Sequence, residues 1–184
     1  MSEDSISNLL SETRIFPPSE DFARSANVDV TIYEESSRDR IAFWEKQADR
    51  LDWFERWHTP LKWEPPFAEW FVGGKLNASY NCLDRHVLGG NGDRTALIFE
   101  GEPGDTRRLT YAQLLIEVKK CANALLELGI EKSDRIAIYM PMIPEAVIAM
   151  LASARIGATH SVVFGGFSAD SLQARINDAD AKLV

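Results

Sequence analysis

A chain of 184 residues, 45% hydrophobic and 26% charged, has the make-up of an ordinary globular protein and can bury a core of its own, as one domain or part of one. Its 28 acidic against 20 basic residues leave a net charge of −8, which repels polyanions, so neither nucleic acid nor an anionic membrane surface is an expected partner. No apolar run approaches the roughly 20 residues that a membrane span needs, and the amino terminus lacks the positive and apolar regions of a secretory signal, which together predict a cytoplasmic protein.

From Met1 to about Val28 the sequence is rich in Ser, Glu, Asp and Pro without sustained periodicity and reads as an extended, flexible arm. Phe43, Trp44, Ala48, Leu51 and Phe54 then recur at helical spacing, which predicts one amphipathic helix from Ser37 to about Trp57. Trp57, Trp63, Phe67, Trp70 and Phe71 follow, interrupted by Pro60, Pro65 and Pro66, and are expected to pack without regular structure of their own. Past a turn at Gly73 and Gly74, Asn77 is placed to cap a short helix reaching about His86. Thr95–Phe99 and Arg107–Leu109, joined through Gly101, Pro103, Gly104 and Asp105, read as a hairpin.

Thr110 and Gln113 have the spacing of a capping box in front of a helix lined by Leu114, Leu115, Val118, Ala122, Leu125 and Leu126, which Gly129 ends. Arg135–Met140 is an apolar strand, Pro144 opens a helix that Gly157 terminates, and Ser161–Phe164 is a second strand. Ser168 caps a further helix before Lys182, Leu183 and Val184 begin another strand. Strands alternating with helices through short connections predict an α/β architecture, a partial parallel sheet with right-handed crossover helices. The chain stops in what should be the middle of a strand, so a fragment of a longer protein is expected.

Phe164-Gly165-Gly166-Phe167-Ser168 sits where a parallel strand hands over to a helix, the edge at which open α/β sheets collect ligands. Two glycines there permit close backbone approach, and the helix start exposes N–H groups; a glycine pair needed only to turn the chain is the plainer alternative. Met140-Pro141-Met142-Ile143-Pro144 also ends a strand, but it offers no acid, base or nucleophile and reads as a rigid connection. His58, His86 and His160 lack metal-ligand spacing, and Cys82 and Cys121 show neither zinc-site nor disulfide spacing, so a metal is not expected and the thiols read as reduced and half-buried. No Walker loop, Gly-x-Ser-x-Gly elbow or Rossmann fingerprint is present.

Asn81-Cys82-Leu83-Asp84-Arg85-His86, Arg135 through Pro144, Ala154-Arg155-Ile156-Gly157-Ala158 and His160 through Ser168 resemble, in order and spacing, the AMP-forming acetyl-CoA synthetases of the adenylate-forming superfamily. The resemblance runs from about Ser37 to Val184. After the flexible arm that composition gives over 1–28, it implies an amino-terminal extension typical of those enzymes over 29–92 and the start of the AMP-binding domain over 93–184. It also implies the substrates acetate, ATP and CoA, with magnesium (Mg2+) accompanying ATP, and places Phe164, Gly165 and Gly166 at the CoA site. The family's phosphate loop, acyl pocket and carboxyl-terminal lid would lie beyond Val184, so no catalytic residue is expected here and the segment alone is expected to be inactive. A propionyl- or other short-acyl-CoA synthetase shares the glycine segment, although the wording of Asn81–Asp84 leans toward acetate. A non-catalytic CoA-binding or interaction module is the alternative of another class. Nothing in the sequence sets an oligomeric state.

Overall fold

The computed structural model describes residues 14–184. Two units divide the chain, Met1–Gln47 and Ala48–Val184.

In the first unit, Ser19 caps a short helix, α1 (Glu20–Ser25), by accepting the N–H of Phe22, and α1 buries none of its side chains. The helix expected from Ser37 to about Trp57 is shorter, α3 (Arg40–Ala48), and a separate helix, α2 (Thr31–Arg38), precedes it. Asp39 separates them: its backbone is extended (φ −148°, ψ 91°), and its carboxylate accepts the N–H of Ala42 at 3.0 Å. A short acceptor side chain favours a helix start over a helix interior, so Asp39 opens α3 instead of continuing α2. Residues 1–13 of the predicted arm lie outside the described residues.

In the second unit the stretch beyond Ala48 leaves the helix, and Trp53, Trp57 and Phe71 meet in one aromatic cluster with centroids 4.8 to 5.6 Å apart. The expectation of irregular packing is corrected here: β1 (Thr59–Glu64) and β2 (Phe67–Val72) form an antiparallel hairpin with Pro65 and Pro66 at its tip. Proline cannot donate to a ladder, but Pro65 and Pro66 stand at the tip, outside both strands, where no ladder bond is lost.

Asn77 accepts the N–H of Tyr80 at 3.0 Å, as expected of a cap, but the helix it starts continues past His86 through two π-helical stretches, Tyr80–Asp84 and Val87–Asn91. A hairpin, β3 (Thr95–Glu100) and β4 (Thr106–Thr110), leads into α4 (Tyr111–Glu127). Thr110 Oγ1 accepts the N–H of Gln113 at 3.2 Å, and Gln113 Oε1 accepts the N–H of Thr110 at 2.9 Å. Removing one side of this box by Thr110→Ala is expected to cost about 1 kcal/mol in urea unfolding, and an unchanged midpoint would refute that.

β5 (Arg135–Met140), α5 (Pro144–Ile156), β6 (Thr159–Phe164) and α6 (Ala169–Ala179) complete the chain. β5 and β6 pair in parallel from Arg135↔Thr159 to Met140↔Phe164. Leu183 adds a parallel bridge to Ile136, so the last residues start a strand on the side of β5 away from β6. Right-handed crossovers in opposite directions put the two connecting helices on opposite faces of the sheet. In keeping with this, α5 packs along α4, whereas α6 packs across β5 and β6. The core lies on the α4–α5 side, where Leu83, Leu114, Val118, Ile130, Ile136, Ile138 and Ala152 are buried together. Gly157 ends α5 at φ +78°, a left-handed position that a side chain would strain. Among the described residues no helix is long and apolar enough to cross a membrane.

Candidate functional site

The β6–α6 connection is a tight turn, closed by the N–H of Phe167 donating to the carbonyl of Phe164 at 3.1 Å, with Gly165 and Gly166 at its centre. Neither glycine has a φ in the left-handed region, so the turn makes no conformational demand for glycine at either place. What the second one permits is proximity: a Cβ on Gly166 would stand 2.7 Å from Cε1 of Phe164, so the missing side chain lets that ring lie back over the turn. Phe164 remains 64% exposed, and its ring meets that of Phe167 edge-on at 5.9 Å. The guanidinium of Arg175 covers the Phe167 ring at 4.7 Å.

Met140, Pro141 and Met142, at the carboxyl end of β5, form the other wall of a groove of about 460 Å³ whose first wall is Phe164, Gly165 and Gly166. The sequence presents these as two separate strand ends; the parallel pairing of Met140 with Phe164 makes them neighbours. Tyr139, whose importance was not visible in the sequence, lines the same groove, and its hydroxyl lies 3.0 Å from the carbonyl of Gly165 and 3.1 Å from that of Phe167. None of the lining side chains is charged. The groove therefore suits a slender, largely uncharged arm such as the pantetheine of CoA, while offering no cation to its phosphates. The start of α6 is less open to an anion than its position suggests, because Ser168 already takes the N–H of Ser171 and Asp170 adds a carboxylate to the first turn.

The segments that carry the resemblance elsewhere hold structure together. Asn81 brackets the backbone of Asp52, donating to its carbonyl at 3.0 Å and accepting its N–H at 2.9 Å. Asn77 donates to the carbonyls of Ala154 and Arg155 at 3.0 and 3.1 Å, at the end of α5, where Ala154 also accepts the N–H of Gly157 at 3.2 Å. Asp84 receives two parallel bonds from Arg155, 2.7 and 3.0 Å long, and this contact raises the pKa of the guanidinium.

His86, His160 and Cys82, unrelated by spacing, line one cavity of about 690 Å³ with Tyr111 and a largely aliphatic wall. Among the described residues no group of three or more His, Cys, Asp or Glu could hold a metal ion. Cys82 is exposed rather than half-buried, because it occupies the outward side of a helix whose neighbours Asn81 and Leu83 point inward. Burial pushes the Cys121 thiol up, which keeps it protonated and a poor nucleophile. Glu145, at the start of α5, is held below the usual carboxylate range by a 2.7 Å hydrogen bond from Arg107.

A parallel sheet with crossover helices and a ligand-sized groove at its carboxyl edge defines an α/β domain of the kind that binds cofactors and substrates between strand ends. Residues 84–184 match the model of the AMP-binding enzyme family, and residues 30–82 match that of the acetyl-coenzyme A synthetase N-terminus. The chain belongs to the AMP-binding enzyme family. It is 62% identical over 185 residues to the acetyl-coenzyme A synthetases of Streptomyces avermitilis and Streptomyces coelicolor, a match covering 100% of this chain and 28% of each relative. With the acetyl-coenzyme A synthetase of Gemmatimonas aurantiaca the identity is 58% over 177 residues, 96% of this chain and 27% of that protein. The chain thus spans 28% of the length of the first two relatives.

Proposed function

We propose that this chain forms the amino-terminal part of an AMP-forming acetate–CoA ligase. A carboxylate oxygen of acetate attacks the α-phosphorus of ATP and expels pyrophosphate; the CoA thiol then attacks the acetyl carbonyl and expels AMP. The observation that carries this reading is the 62% identity, along the whole chain, to proteins named acetyl-coenzyme A synthetase. The uncharged groove beside Phe164, Gly165 and Gly166 supports a place for the CoA arm on this part of the enzyme. Cations for the CoA phosphates, the acyl pocket and the site for ATP with its magnesium belong, on this reading, to chain outside these residues. A cytoplasmic setting goes with it.

The test compares residues 1–184 alone with a full-length synthetase that carries them, each given ATP and either acetate or propionate. The full-length protein is expected to release AMP with acetate in preference to propionate, and the isolated chain is expected to form no acetyl-adenylate in a single turnover. Preference for propionate would replace the acetate assignment, and adenylate formed by the isolated chain would overturn the division of labour.

A further inference from the structure

We infer that Tyr139 is a positioning residue for the glycine turn, and that its hydroxyl fixes the backbone against which the CoA arm lies. This rests on the proposed CoA role of Phe164, Gly165 and Gly166. Tyr139 is the next-to-last residue of β5, and it pairs with Val163 immediately before the turn. Ile136 and Ile138 face the α4–α5 core, so strand alternation directs Tyr139 to the opposite face of the sheet.

From there its hydroxyl reaches two carbonyls of the turn, those of Gly165 at 3.0 Å and Phe167 at 3.1 Å. A phenol has one proton, so the hydroxyl donates to one carbonyl or is shared between both. Shared, the proton ties the first glycine and the closing aromatic residue together across Gly166; given to one carbonyl, it still fixes one side of the turn from the neighbouring strand. The turn needs such a tie. Its own closure is one 3.1 Å bond, and Phe164 is 64% exposed, so little packing holds it. A groove wall made of glycine backbone keeps its shape only if its carbonyls are fixed, and a carbonyl bound by Tyr139 cannot turn into the groove to clash with an incoming amide. Tyr139 itself is 38% exposed, so removing its oxygen leaves the ring in place and the core untouched.

The experiment uses a full-length synthetase carrying residues 1–184. Tyr139→Phe is expected to raise the KM for CoA about three- to tenfold, the loss of one ordinary hydrogen bond. The kcat at saturating CoA, the KM for ATP and acetate-dependent ATP–pyrophosphate exchange should stay unchanged. In hydrogen exchange, the amides of residues 165–168 should open faster while those of α4 do not. Gly166→Val, which crowds the Phe164 ring from the turn itself, serves as the control. A raised KM for CoA in Gly166→Val but not in Tyr139→Phe overturns the role of Tyr139 and leaves the CoA reading standing. No change of KM in either variant removes the CoA reading, and the inference with it. A loss of pyrophosphate exchange in Tyr139→Phe makes the effect a general structural one and also overturns the inference.

Discussion

Replacing Arg155 with alanine is expected to destabilise the folded chain by about 3 kcal/mol, toward the lower end of the range for breaking one side of a buried ion pair. Asp84 is 9% exposed and accepts two bonds from Arg155, which is itself partly open to water, with 26% of its side chain exposed. Truncating Arg155 leaves a carboxylate that must remain buried without its partner or take up a proton, and both cost more than the pair is worth against water. The pair itself is a weak source of stability. Replacing both residues with apolar ones of similar size, Asp84→Leu with Arg155→Met, should therefore recover most of the loss. Urea unfolding of the two variants checks this. An Arg155→Ala midpoint within error of the parent, or a double variant as unstable as the single one, would show that solvent already screens the contact.

Leu83→Ala is expected to cost about 2–5 kcal/mol, the range for emptying a core leucine. Leu83 is 2% exposed and packs in the cluster that holds Leu114, Val118, Ile136 and Ile148. The contrast is Leu88, five residues on and 75% exposed, where Leu88→Ala should change stability by less than about 0.5 kcal/mol. Thermal and urea unfolding of both variants gives the comparison, and equal effects at the two positions would contradict the burial described here. Because Leu83 adjoins Asp84, combining Leu83→Ala with Arg155→Ala should not be additive.

What could be read from the sequence is what short-range chemistry decides. The Thr110–Gln113 box, Pro144 in the first turn of α5, Gly157 at its end and Ser168 ahead of α6 all act within four residues, and all stand where their side chains predict. The alternation of strand and helix from Arg135 onward likewise needs only local pattern to be seen. The end of α3 was misplaced because Leu51 and Phe54 continue the helical spacing of Phe43, Trp44 and Ala48 beyond the last helical residue. The aromatic hairpin was hidden because its prolines argue against strands, whereas Pro65 and Pro66 sit at the tip and Pro60 at the start of β1. The π-helical stretches leave no mark in a pattern searched at the ordinary helical period.

For the groove, the turn of Gly165 and Gly166 could be placed at the sheet edge from sequence, but its second wall and Tyr139 could not. Both depend on the in-register pairing of β5 with β6, and register is a property of two segments rather than one. For the same reason the contacts of Asn77 with Ala154 and Arg155, of Asn81 with Asp52 and of Asp84 with Arg155 were invisible, since their partners lie far along the chain.

Asn81 shows where sequence change is free and where it is not. Its amide grips the N–H and carbonyl of Asp52, groups that nearly every amino acid presents alike, so the bracket is blind to the side chain at position 52. Position 81 has no such latitude. Aspartate lacks the donor, glutamine is one carbon longer, and an aliphatic residue would leave the backbone of Asp52 without either bond. Over evolutionary time one end of this contact can drift while the other stays constant, and a covariation search, which needs both ends to move, would miss it.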